Sequence, residues 1–349
     1  RGRSACLWRL TSEPAGDAPV NPEIKLRTDW VPPALLLAIA LAALAIIGNP
    51  STWVTLTVAG LAMGLLIFIM SSGLTLVFGL MDVMNFAHGL FIAVGAYVAA
   101  STIKLFSAAA GSESFLVNLG ALAPAMLAAI VIAGLLGLAF ERIIIKPVYG
   151  QHLKQILITT GGMIVAEQLI HVFWGPDLLP LPRPSTLRGS FLVGDVAIEK
   201  FRLIAVVIGL AVFAAMMMVL NRTKIGLLIR AGVENKEMVE AMGYRIRRLF
   251  IGVFVAGSAL AGLGGALWGM YQESVTVHIG ANMMVLIFIV IIIGGLGSIG
   301  GCFVGALLVG LVANYVGYLS PKIALGSNIL LMVMVLLWRP QGLYPVSKQ

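Results

Sequence analysis

Side chains able to do acid–base, nucleophilic or metal chemistry are few in this 349-residue chain, which has four histidines, two cysteines and fifteen carboxylates. His88, His152, His171 and His278 lie far apart, and no His-Glu-x-x-His, Cys-x-x-Cys or Gly-x-Ser-x-Gly spacing occurs, so neither a metal site nor an activated nucleophile is expected. Cys6 and Cys302 read as plain small residues. The phosphate-cradling Gly-x-x-x-x-Gly-Lys-Ser/Thr loop is missing too, so no nucleotide is expected by that route. No cofactor is expected, and the chain reads as something other than an enzyme. Glu167 and His171 stand at i and i+4 and share a helical face. A polar pair steadying a helix bundle is preferred there over a proton relay, because no further ionisable residue continues the line.

Three polar interruptions carry more information. Residues 71–89, SSGLTLVFGLMDVMNFAHG, prolong an already sufficient apolar helix and set Gly73, Gly79, Asp82, Asn85 and His88 in apolar surroundings. Facing lipid, each unpaired polar group would cost several kcal/mol, so these residues must face protein or a wet cavity, as in the broken helices of transporters. Asn85 with His88 fits either a structural hydrogen-bonded pair or the lining of a transport path. Residues 291–310 collect Gly294, Gly295, Gly297, Gly300, Gly301, Gly305 and Gly310 around Ser298. Helix packing is the preferred reading of this tract and a gate the second. One such region in each half of the chain hints at a duplicated, inverted architecture.

The third interruption is NRTKIGLLIRAGVENKEMVEAMGYRIRRL, residues 221–249, with seven Lys/Arg between Arg222 and Arg248. Asn235 can cap a short helix over 236–242, and Gly243 suits the position that ends it. Met238 and Met242 then lie one turn apart with Ala241 beside them. So short a helix is marginal in water, so its apolar face needs a groove in this chain or in a partner.

These interruptions sit in a membrane chain. Sixty per cent of residues are hydrophobic and 11% charged, with mean hydropathy +1.01, far from the composition of soluble domains. The fold class expected is all-α, a polytopic integral membrane protein of about 8–10 transmembrane helices with broken or re-entrant segments. The apolar runs are 31–47, 53–72, 86–106, 117–140, 155–174, 203–220, 249–271, 283–299, 303–319 and 324–338. The net charge of +8 is read as positive-inside bias rather than nucleic-acid binding. Lys/Arg collect in the tail 1–30, in 141–154, in 221–248 and in the tail 341–349 with Arg339 just before it, all separated by even numbers of crossings, so these are expected in the cytoplasm. Residues 175–202 are expected outside, as an ordered loop with some strand character. The membrane body is 31–340.

The spacing Arg230-Ala231-x-x-x-Asn235 followed by Ala241-x-Gly243 resembles the coupling loop of permease subunits in ATP-binding-cassette (ABC) importers of the branched-chain amino acid type. Asn85-Phe86-Ala87-His88-Gly89 with Gly95-Ala96-Tyr97 resembles the signature of that family's H-type rather than M-type permease. Gly294-Gly295-Leu296-Gly297-Ser298-Ile299 with Gly305-Ala306 is similar to its late Gly-rich signature, and Arg339-Pro340-Gln341-Gly342-Leu343 to its ending. Together the matches run over residues 53–344. Gly300 stands where the family commonly has Pro, and the polar tail 1–30 is atypical. The resemblance implies an assembly in the bacterial inner membrane: this chain, an M-type second permease, two ABC ATPases and a periplasmic substrate-binding protein. It implies ATPase coupling through Arg230, Ala231, Asn235, Met238, Ala241, Met242 and Gly243. Asn85, His88, Gly89, Gly294, Gly295, Gly297 and Ser298 are the candidates for the path or gate. The solute implied is a branched-chain or other amino acid, with urea, short amides or aromatic acids as the alternative. An ion-coupled secondary transporter and a membrane-embedded enzyme are the remaining classes.

Overall fold

The computed structural model describes residues 30–234 and 236–344. The tail up to residue 29, residues 345–349 and the expected cap Asn235 lie outside them. Thirteen helices follow one another among the described residues. They are α1 (Val31–Ile47), α2 (Pro50–Met81), α3 (His88–Leu105), α4 (Ser107–Ala110), α5 (Phe115–Phe140), α6 (His152–Trp174), α7 (Lys200–Arg222), α8 (Lys224–Glu234), α9 (Lys236–Ala241), α10 (Ile246–Gln272), α11 (Ile279–Gly294), α12 (Ile299–Leu319) and α13 (Ala324–Trp338). Seven of them, α2, α3, α5, α6, α7, α10 and α12, are long and apolar enough to cross a membrane, and α1, α11 and α13 are shorter apolar helices. The ten expected runs therefore each find a helix. Two short antiparallel ribbons join β1 (Leu179–Pro180) to β4 (Ser274–Val275) and β2 (Ser190–Val193) to β3 (Val196–Glu199), giving 175–202 its strand character.

Glycine contacts set the core. A Cβ on Gly73 of α2 would fall on the Gly257 carbonyl of α10, and one on Gly257 would fall on the Gly73 carbonyl. Met70 lies against Gly264, so the two helices cross antiparallel. In lipid no hydrophobic force draws helices together, and close backbone approach supplies van der Waals contact instead. Around this crossing the same device repeats. Gly60 and Gly64 of α2 meet α12 at Leu311 and Ala306, while Gly262 of α10 meets α5 at Ala133 and Ala129.

Asn49 caps α2 by accepting from the Ser51 and Thr52 amides, with Pro50 at the first helical position. The helix ends at Asp82, whose φ of 53° is left-handed. Residues 82–87 then return along the bundle, so that α3 starts beside Met70, about 17 Å up the axis of α2. The second half copies this arrangement: after α10, residues 273–278 double back and α11 starts at Ile279. The two helix starts meet, because a Cβ on Gly89 would strike Gly280 and one on Gly280 would strike Gly89. These contacts suit the duplicated, inverted architecture, with other segments paired than the sequence suggests. The counterpart of 82–89 is 273–280 and not the Gly tract at 291–310. That tract was expected partly inside a span ending at 299; instead Gly295 (φ 98°) and Gly297 (φ 81°) form the tight turn between α11 and α12.

At the end of the bundle holding the ribbons, Arg183 is the knot. Its guanidinium donates to Glu199, at 3.0 Å, and to the carbonyls of Met270 and Tyr271, and it lies 5.1 Å over the Phe201 ring. A Glu273 carboxylate completes its surroundings at 3.2 Å.

Gly257→Val, which drives a side chain into the Gly73 backbone, is expected to destabilise the chain by roughly 2–4 kcal/mol. Gly252→Ala, in the same helix with open space around it, should be neutral or stabilising by up to about 1 kcal/mol. Thermal unfolding in detergent micelles separates the two; equal losses would contradict the packing account.

Candidate coupling surface and solute path

The polar connection between α7 and α10 folds into α8 and α9. Thr223 breaks α7; its hydroxyl donates to the Val219 carbonyl and accepts from the Gly226 amide. Gly226, Ile229 and Gly232 are the buried side of α8, while Ile225, Leu227 and Arg230 are exposed and Ala231 is half-buried. The expected short helix is present as α9, one residue shorter than 236–242. Gly243 has φ 85° and its amide donates to the Glu240 carbonyl, while the Tyr244 amide donates to Val239. That pair of bonds is the Schellman arrangement, which ties off the free carbonyls of a helix end. Val239 is 1% exposed and anchors α9 to the bundle, whereas Met238 and Met242 are 61% and 58% exposed with Ala241 exposed between them. An exposed methionine face on an element held in place by one buried valine suits a partner's apolar groove.

Behind α9, α5 closes with a π-helical turn, Glu141–Ile145. The Glu141 carboxylate is buried and accepts from the Tyr149 hydroxyl at 2.9 Å. Burial first, and that carboxylate second, hold the Tyr149 phenol protonated well above its ordinary range.

Of the residues considered for a path, Asn85 and His88 are both 1% exposed. Their side chains do not pair with each other. Asn85 accepts from the Ala87 amide at 3.1 Å and so shapes the start of α3, while His88 Nε2 lies 2.9 Å from the Met70 carbonyl. Gly89 is the crossing point with Gly280. Gly294 packs on Gly301, and Gly295 packs against Gln341, Gly342 and Tyr344, whose amide donates to the Gly294 carbonyl. Gly297 lies against Gly79, and Ser298 caps α12 through the Gly301 amide. Gly300 has nothing near it and falls in the first turn of α12, where the missing Pro would be accommodated.

One polar wall is only partly legible in the sequence, where Glu167 and His171 share a face and Asn282 is a polar residue near the path, but nothing ties them to His278. Thr159, Met163, Glu167 and His171 recur every fourth residue of α6; the first two lie against the start of α3, at Phe86 and Gly89, and the last two against His278, just before α11. Glu167 does not pair with His171: its carboxylate lies 3.7 Å from His278 Nδ1, and the His171 and His278 rings are 6.4 Å apart. Across α11, His278, Asn282 and Val285 form an open stripe on a helix otherwise largely buried. His278 lies 107 positions beyond His171, so spacing along the chain held no sign of the cluster; only the doubling-back of 273–278 brings it there. Among the described residues no group of three His, Cys, Asp or Glu side chains converges in a metal-holding arrangement.

Ten apolar helices and two doubled-back breaks among the described residues fit a multi-pass membrane protein. The chain belongs to the branched-chain amino acid transport system / permease component family, whose description fits residues 56–338. It is 29% identical to the high-affinity branched-chain amino acid transport system permease protein BraD of Pseudomonas aeruginosa, over 82% of this chain and 94% of that protein. It is 27% identical to the LivH permease protein of Escherichia coli K12, over 81% and 92%. A probable branched-chain amino acid transport permease protein LivM of Methanocaldococcus jannaschii is 26% identical over 80% and 90%. No solved structure matches.

His88→Ala, which strips a buried hydrogen-bonding ring from the helix crossing, is expected to cost about 2–4 kcal/mol of stability. His278→Ala, whose side chain is 66% exposed, should cost less than about 0.5 kcal/mol. Paired denaturation curves check this, and a larger loss for His278→Ala would contradict the placement.

Proposed function

We propose that this chain is the H-type permease subunit of an ABC importer that moves branched-chain amino acids through the bacterial inner membrane. The observation that carries the reading is α9, a short helix with an exposed methionine face, on a chain of the branched-chain permease family. Two ABC ATPases supply the energy, an M-type permease completes the membrane unit, and a periplasmic binding protein delivers the solute. The substrate is read from the names of relatives such as BraD and LivH. Residues 31–340 form the membrane body, both termini lie in the cytoplasm, loop 221–248 is the coupling element and 175–202 faces the periplasm.

In this reading, closure of the ATPases pushes on α9. Val239 and the Schellman turn pass the motion to α10, whose glycine contacts with α2, α3 and α5 carry it into the bundle as a rigid-body movement. The wall of Glu167, His278 and Asn282 lines the path. A carboxylate–imidazole pair and an exposed amide facing hydrocarbon would be expensive, whereas a water-filled seam against the second permease accommodates them. Asn85 and His88 keep the α3 start in place beside that seam.

The reading is tested by purifying the chain with its genomic neighbours in mild detergent and asking whether an ATPase and a second permease come with it. Met238→Asp combined with Met242→Asp should weaken ATPase docking by about 3 kcal/mol, on the order of a hundredfold, and uncouple hydrolysis from uptake with the chain still inserted. Unchanged coupled uptake in reconstituted vesicles would sink the role given to α9.

A further inference from the structure

Beside α9, at the end of the bundle that carries the coupling element, lies a cleft of about 750 Å³. Arg142 and Lys146, on the turn that follows α5, form one wall, and Arg245, Arg247 and Arg248, at the start of α10, form the other. Glu240 is the one carboxylate among the lining residues, and none of the five cations has an ion-pair partner among the described residues. Five cations converging on one cavity repel one another unless an anion sits between them.

We propose that this cleft binds the phosphate headgroup of an anionic phospholipid of the cytoplasmic leaflet; the leaflet assignment rests on the orientation given above. Three observations favour a lipid over a soluble anion or the ATPase. Ile246 and Ile251 line the cleft, so its inner side is apolar where acyl chains would begin. The cations stand just past α5 and at the start of α10, the ends of two membrane-length helices, which is headgroup depth. Glu240 is rotated roughly 160° around α9 from Met238, so the cleft and the methionine face point in different directions. Arginine on both walls suits phosphate oxygens through paired N–H donors.

The test uses the purified permease–ATPase assembly in nanodiscs of phosphatidylcholine with or without phosphatidylglycerol, followed by native mass spectrometry after mild delipidation. The native assembly should retain phosphatidylglycerol over phosphatidylcholine. Arg142→Gln/Lys146→Gln/Arg248→Gln should lower that retention roughly tenfold or more while the ATPases still co-purify. Arg142→Lys/Lys146→Arg, which keeps the charges, should retain the lipid and guards against a folding defect in the triple variant. Equal retention by native and triple variant would overturn the proposal. So would displacement of the lipid by millimolar inorganic phosphate, which marks a soluble-anion site, or loss of the ATPases from the triple variant alone, which marks a motor interface. Failure of the native chain to bring down any ATPase would instead strike the transport reading and leave headgroup retention as a separate result.

Discussion

Everything in this molecule depends on two backbones touching at Gly73 and Gly257. That crossing lets α2 and α10 run antiparallel in contact; α3 and α5 then pack on α10, while α11 and α12 pack on α2. Lipid gives no hydrophobic reward for helix association, so the contact must come from close packing, and a single methyl group at the crossing would push the two halves apart. Gly89 and Gly280 repeat the device where α3 and α11 begin. Two helix starts therefore face each other deep in the bundle, with polar side chains gathered round them.

The arrangement explains why the polar residues inside the membrane divide into two kinds. Asn85, His88, Ser71, Ser72 and Thr75 are buried, and their hydrogen bonds go to nearby groups of the bundle, mostly backbone, so they hold the breaks in shape. Glu167, His278 and Asn282 lie on the open side of the same junction. In the transport reading proposed above, the first kind frames the path and the second lines it.

Much of this was legible in the sequence, because lipid forces apolar length on helices and polar breaks on everything else. The ten runs located ten helices, and the α9 helix and its Gly243 ending followed from capping chemistry and spacing. The limits are equally physical. The run-on of α2 to Met81 shows in its polar break, but apolar periodicity cannot reveal where a chain doubles back, and 273–278 reads as ordinary loop beside the more conspicuous Gly tract. That tract turns at 295–298 because Gly295 and Gly297 adopt left-handed conformations, which composition allows but does not require, while Gly301, Gly305 and Gly310 give the helix packing expected of it. Glu167 was assigned its helical neighbour His171, whereas the fold gives it His278 from the other half of the duplication.

The central claim is that this chain moves solute only when a separate motor pushes on α9. It is tested most directly by leucine uptake into vesicles containing this chain, a second permease and the ATPases, with ATP enclosed or withheld and with ion gradients collapsed by ionophores. The account predicts uptake that requires enclosed ATP and survives the ionophores. Uptake by the permeases alone, driven by an ion gradient without ATP, would contradict it.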